Sequence, residues 1–321
     1  MMARYVTISS IAWSIAPGQA FEDGLRRATE LLRLAAVARP DLIIFPELFL
    51  HHNLPIERWR EAGTLPNPLT KHFGALAREC RVNLVIPIPT VVDGRCYNSA
   101  VALDRAGEIV GQYDKVHPTI GEMQRGITPG AGPVVHALDF GRIAHAICYD
   151  LNFPHQAEAL QAEEVDLICF HSMFTGGQLL NHWALMAGAC LISAYEEDSR
   201  LIDMTGLDLM SIGRRYEQFS LWKLHPVLTA RLNFDRRLFH VDHNIADMAH
   251  AQSGINRLLA ERAHQVTMDH NYPASVFALG ALEGVTVPEL CAEYGLQTRN
   301  AYFRQSAAVE AELQAQHDAP A

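Results

Sequence analysis

DLIIFPE, residues 41–47, is a short apolar run that stops at a proline and an acid, and DLICFHS, residues 166–172, repeats its signature. Short, wholly apolar runs of this kind read as strands buried on both faces, as in a parallel sheet. Working outward, RYVTISSIAW (4–13) is strand-like. FEDGLRRATELLRLAAVA (21–38) sets Leu25, Ala28, Leu31, Leu32 and Ala35 at helical spacing, and Pro40 closes that segment. Beyond DLIIFPE come a helix around LTKHFGALARECR (69–81) and the strand VNLVIPIPTVV (82–92). Asp93-Gly94 turns into CYNSAVAL (96–103), and Asp104 to Gly107 turn into EIVGQYDK (108–115).

The second half echoes the first. RIAHAIC (142–148) is an apolar strand, QAEALQAEEV (156–165) is helical, and DLICFHS follows. SRLIDMTGLDLMSIG (199–213) is again strand, D-x-x-G turn, strand, with Asp203 and Gly206 standing as Asp104 and Gly107 do. Two such halves predict an α/β protein with mixed sheets, each covered by helices and stacked sheet on sheet. From residue 244 the texture turns helical. The expected division is a domain over 1–243 and a C-terminal helical extension over 244–321, packing on the core or on a partner subunit, with the final QAQHDAPA frayed.

Bulk properties narrow the function. The chain has 321 residues, 49% of them hydrophobic, enough for a large core, and a formal charge of −10, which opposes nucleic-acid and anionic-membrane partners. The six cysteines form no C-x-x-C pair, as expected of reduced thiols in a cytoplasmic protein. The N-terminus reads as a first strand and not as a signal peptide, and no apolar run is long enough to span a bilayer.

Three apolar strands end in residues a core would not choose: Glu47 after DLIIFP, Lys115 after EIVGQYD, and Cys148 after RIAHAI. Beyond the carboxyl ends of strands, side chains leave the core and face a crevice. Singly, each has a plain reading as loop acid, surface lysine or core thiol. Together they supply nucleophile, base and charge stabiliser. Glu47 can take the thiol proton, Lys115 can hold an oxyanion, and the backbone N–H of Tyr149 can assist. Such a trio cleaves a C–N bond through a thioester with no cofactor and no metal.

FPE, YDKVHPTIGE and AICYDLNFP, in that order, resemble the nitrilase superfamily of carbon–nitrogen hydrolases, over roughly residues 4 to 240. The resemblance implies a Glu47–Lys115–Cys148 catalytic set in a four-layer α-β-β-α sandwich, assembled as a homodimer or larger homo-oligomer. It also implies a second acid, Glu122, that orients the lysine and contacts substrate. Departures fall around the nucleophile. Asn152 and His155 stand where amidase-like members usually have an arginine and a glutamate, and Trp183 is kept without the usual Arg-Ala-x-Glu-Asn run. Asn152 and Trp183 are therefore candidate pocket residues, and His171, ending DLICFHS, is a candidate polar wall of the cleft. Tyr149 after the cysteine favours amide or carbamoyl substrates over nitriles.

Four rival readings remain. Sixteen histidines invite a metal, but none forms H-E-x-x-H or a helical H-x-x-x-H. A Cys–His thiol hydrolase would need His145, His171 or His182 beside Cys148. VPELCAEYGLQTRNAYFRQS (287–306) has the look of a helix-turn-helix in a binding protein. Residues 281–321, however, carry two arginines against six acids, which opposes phosphate contact. A nitrilase-like chain without activity is the remaining non-enzymatic alternative.

Overall fold

The apolar runs fold as strands and the amphipathic segments as the helices that cover them. The computed structural model describes residues 3–213, 226–245 and 253–318. The elements of the first half are β1 (Tyr5–Ile11), α1 (Phe21–Ala36), β2 (Leu42–Ile44), α2 (Ile56–Arg60), α3 (Pro68–Cys80), β3 (Asn83–Val92), β4 (Arg95–Leu103), β5 (Ile109–Asp114) and α4 (Ile120–Gln124). The second half has β6 (Val135–Leu138), β7 (Gly141–Ile147), α5 (Pro154–Ala162), β8 (Leu167–Ser172), α6 (Leu179–Ala187), β9 (Cys190–Tyr195), β10 (Asp198–Ile202), β11 (Asp208–Gly213) and β12 (Val227–Asn233).

Among the described residues these strands make two six-stranded sheets, ordered β12-β1-β2-β3-β4-β5 and β11-β10-β9-β8-β7-β6. In each, three parallel strands (β1, β2, β3; β7, β8, β9) lead into an antiparallel hairpin pair (β4, β5; β10, β11). Phe45, Phe49, Leu84 and Ile86 pack with Leu31 of α1 and Phe73 of α3. Ile168, Phe170 and Leu191 pack with Leu160 of α5 and Trp183 of α6. Between the sheets, Ser10 Oγ on β1 lies 2.8 Å from both the Ser193 carbonyl on β9 and Ser199 Oγ on β10. Helices outside and sheets inside give the four-layer α-β-β-α sandwich.

The chain groups into two compact units, residues 6–232 and residues 1–5 with 233–321. The second contains β13 (Arg236–His240), α7 (Val241–Ile245), α8 (Gly254–Arg262), β14 (Val266–Asn271), β15 (Val276–Ala281), α9 (Val287–Tyr294) and α10 (Arg299–Asp318). The expected helices are present, and so is a three-stranded sheet, β13-β15-β14, which helical texture did not announce. Phe239, Phe277 and Leu279 of that sheet pack with Leu258 of α8 and Leu290 of α9. The anticipated helix–turn–helix is α9 and α10, with Gly295 left-handed at φ 67° in the turn. Fraying was expected over QAQHDAPA (314–321), but α10 stays helical through Asp318, and residues 319–321 lie outside the described residues.

Candidate active site

β2 is only three residues long, so Phe45, Pro46 and Glu47 follow its end directly. Proline fixes its own φ, and Leu48 behind Glu47 is left-handed at φ 47°. Glu47 is thus delivered by a stiff, partly strained segment and is only 4% exposed. Lys115 follows β5, its N–H donating to the Asn98 carbonyl at 2.8 Å and its carbonyl accepting from Gly130 N–H at 2.9 Å. Its side chain is sealed at 1% exposure.

Lys115 Nζ donates to Glu47 Oε1 at 2.8 Å and to Glu122 Oε2 and Oε1 at 2.9 and 3.1 Å. Glu122 is placed by a capping box on α4. Thr119 N–H donates to Glu122 Oε2 at 2.7 Å, and Glu122 N–H donates to Thr119 Oγ1 at 3.2 Å. Asn98, buried on β4, completes the cluster by donating from Nδ2 to Glu47 Oε1 at 2.8 Å and to Glu122 Oε1 at 3.1 Å. Sequence reasoning missed Asn98. The available signal was an amide inside the otherwise apolar strand CYNSAVAL, two strands from Glu47.

Two carboxylates around one ammonium settle its charge. Burial works against the ammonium, but attraction from Glu47 and Glu122 outweighs it and holds the Lys115 pKa above its ordinary value. For Glu122, burial opposes ionisation and Lys115, with the Thr119 N–H, overcomes it, so its pKa is lowered.

Cys148 terminates β7 and begins a 3-10 turn, Cys148–Asn152, in the left-handed conformation at φ 48°. The turn is pinned from beneath. Buried Asp150 accepts from Tyr113 Oη at 2.7 Å, His117 N–H at 2.7 Å and Ile147 N–H at 2.9 Å. Trp183 Nε1 donates to the Leu151 carbonyl at 3.0 Å. The thiol lies close enough to Glu47 and Lys115 to feel both charges, and it is hydrogen-bonded by the Ser172 side chain and the Met173 backbone. Burial and the Glu47 charge push its pKa up to about 12, and Lys115 with those two hydrogen bonds only partly offsets them. The resting nucleophile candidate is therefore a neutral thiol. A lysine-stabilised resting thiolate, one way to arm such a trio, is not what this environment produces.

The structure thus brings Glu47, Lys115, Glu122 and Cys148 together, and the remaining candidates divide. Tyr149 is 40% exposed and packs edge-on against Phe153 at 5.6 Å. Asn152 is exposed and donates from Nδ2 to the Tyr149 carbonyl at 3.1 Å, a local brace of the turn. Trp183 is buried at 1% beneath the nucleophile turn, an anchor where a pocket wall was expected. His171 is wholly buried on β8, its Nδ1 donating to the Phe45 carbonyl at 2.8 Å, so it is a strut between sheets instead of a cleft wall. Among the described residues, no group of three or more His, Cys, Asp or Glu side chains is arranged for a metal ion, and no helix is long and apolar enough to cross a membrane.

Comparison with known proteins adds a second line. Residues 8–191, more than half of the chain, match the profile of a family described as carbon-nitrogen hydrolase. The chain is 26% identical over 181 residues to a deaminated glutathione amidase of Synechocystis, covering 52% of this chain and 66% of that protein. It is 25% identical over 207 residues to the 2-oxoglutaramate amidase of Paenarthrobacter nicotinovorans, covering 58% and 66%. The matches therefore span just under two thirds of the length of either relative. In fold it is similar to an amidase from Nesterenkonia sp., with TM-score 0.61 at 20% identity over 73% of this chain and 92% of that one. A structure of the amidase from Nesterenkonia sp. AN1, with the acetamide moiety of fluoroacetamide added covalently at its active site cysteine, has TM-score 0.59 at 19% identity over 72% and 91%.

Proposed function

The chain belongs to the carbon–nitrogen hydrolase family, and from that premise we propose that it hydrolyses an amide or carbamoyl C–N bond in a small molecule through a thioester on Cys148. The observation that carries the reading is the sealed Glu47–Lys115–Glu122 cluster, with a neutral thiol within reach of its charges. Lys115 and Asn98 both donate to Glu47 Oε1, which leaves Oε2 to receive a proton.

Because the thiol rests protonated, its proton leaves as attack begins. Glu47 takes it while Cys148 Sγ bonds to the carbonyl carbon, and the π pair moves onto oxygen. Lys115 Nζ and the Tyr149 N–H receive that oxyanion. Collapse breaks the C–N bond, and protonated Glu47 returns its proton to the departing ammonia or amine. Water then gives a proton to Glu47 and attacks the thioester carbonyl, releasing the acid as the proton returns to sulfur. Glu122, bound to Lys115 and to Asn98, keeps the lysine charged and aimed through both steps.

The amidase names of the relatives favour an amide over a nitrile substrate. The Cys–His alternative is weakened because His145 and His171 commit ring nitrogens to one another, to His136 and to the Phe45 carbonyl. The deciding experiment incubates the protein with amides, N-carbamoyl compounds and nitriles, followed by mass spectrometry of the Cys148 peptide. An acyl adduct from an amide is expected. A thioimidate from a nitrile, with no turnover of any amide, points to the other substrate class, and turnover in Cys148→Ala removes the mechanism.

A further inference from the structure

Three histidines on neighbouring strands form a buried file that the chemistry above does not use. The register pairs His136 on β6 with Ile143 of β7, and His171 on β8 with Ile147. Ile143, His145 and Ile147 share one face of β7, so all three imidazoles lie on the same side of the sheet. His136 Nδ1 is 3.1 Å from His145 Nε2, His145 Nδ1 is 3.5 Å from His171 Nε2, and His171 Nδ1 is 2.8 Å from the Phe45 carbonyl oxygen. His136 is 8% exposed, His145 1% and His171 0%.

The last contact fixes every proton in the file. A carbonyl only accepts, so His171 Nδ1 carries the hydrogen. Burial disfavours the imidazolium in each ring and takes the His171 pKa down to about 4. Neutral His171 then accepts at Nε2, which requires a proton on His145 Nδ1, and the same reasoning places one on His136 Nδ1. The chain of donors runs one way and ends on the Phe45 carbonyl.

That carbonyl lies past the end of β2, one rigid residue before the candidate base. Pro46 has a locked φ and Leu48 is held left-handed, so a shift at Phe45 reaches Glu47 with little slack. We infer that His171 is a positioning residue for Glu47, setting where its carboxylate stands through the Phe45 carbonyl. His145 and His136 keep His171 in the tautomer able to do so. The inference rests on the reading of Glu47 as general base.

The test compares His171→Asn with His171→Gln on an amide that the native protein hydrolyses. The asparagine amide overlies Nδ1 and can still donate to Phe45, whereas the glutamine amide reaches toward Nε2 and leaves the carbonyl unpaired. His171→Asn is expected to keep kcat within about threefold and His171→Gln to lose about ten- to a hundredfold with KM unchanged, within the ~10²–10⁴-fold that a general base contributes. Equal kcat in the two variants, or a change confined to KM, overturns the inference, because a packing role would treat both alike. Glu47→Gln runs in the same assay. Full activity there sinks the general-base reading, while an inactive Glu47→Gln beside a fully active His171→Gln sinks only the positioning role. Nitrogen NMR of the native protein labelled at histidine needs no variant to fold. A hydrogen on Nδ1 of His171 is expected, and one on Nε2 overturns the inference.

Discussion

DLIIFPE and DLICFHS make the same strand twice and then part company at the last two positions. Asp41 accepts the Thr7 N–H at 2.8 Å and donates its own N–H to the Thr7 carbonyl. Asp166 does the same with Arg142, accepting at 2.9 Å. Phe45 and Phe170 are both wholly buried. Then proline and glutamate stand in one half where histidine and serine stand in the other, and both seventh residues, Glu47 and Ser172, reach Cys148. The repeated part is scaffold. The divergent part assigns one half the charge and the other a neutral hydroxyl, with His171 reaching across to brace the residue before Pro46.

The strongest challenge to this contrast is to neutralise each seventh residue. Glu47→Gln is expected to lower kcat by ~10²–10⁴-fold, and Cys148→Ala to abolish turnover, whereas Ser172→Ala stays within about tenfold in steady-state kinetics. A Ser172→Ala loss as large as that of Glu47→Gln would erase the distinction. Asn98→Ala comes next. Removing a donor shared by two buried carboxylates costs about 1.5–3 kcal/mol if it acts fully on the transition state, a fall of roughly ten- to a hundredfold in kcat.

The two D-x-x-G turns test the scaffold side. Gly107 and Gly206 both have positive φ, +80° and +81°. An added Cβ at 107 would collide with the backbone carbonyl of Gly74 on α3, while at 206 it meets the Asn181 carbonyl at 3.1 Å. Gly107→Ala is expected to destabilise more than Gly206→Ala, by about 1–3 kcal/mol in urea unfolding.

The histidine of the second motif brings a pH dependence that Pro46 cannot. Burial lowers the His171 pKa to about 4, so between the ordinary value of 6.5 and about 4 the unfolded chain binds a proton that the folded one refuses. Stability therefore falls as pH drops through that window, by up to about 1.4 kcal/mol per pH unit for this group. His171→Asn should flatten the slope measured by denaturant titration. The smallest effect is expected at the shared position. Asp41→Ala and Asp166→Ala should each cost about 1 kcal/mol or somewhat more in denaturant titration.

The strand pattern and the strand-end acid, lysine and thiol were legible because apolar runs with an abrupt polar stop depend on local order alone. What stayed hidden depended on partners. Asn98 looks like any strand amide until β4 is laid beside β5, and His171 looks like a cleft residue until the Phe45 carbonyl faces it. Trp183 reads in sequence as a pocket residue because nothing in its neighbourhood reveals that Leu151 takes its N–H. The sheet beyond residue 233 was missed for a different reason. VFALGA (276–281) is buried at every position, and a six-residue apolar run has no periodicity to tell strand from helix. Its partner VTMDHN (266–271) is largely polar and reads as loop.

One torsion angle connects durability with chemistry. At φ 48° the backbone at position 148 suits glycine and burdens any residue with a β-carbon, at roughly 1–2 kcal/mol. The thiol proposed to carry the reaction is attached through that β-carbon. Glycine at this position would relieve the torsion and remove the thiol in one step, so the strain can be shed only together with the proposed chemistry.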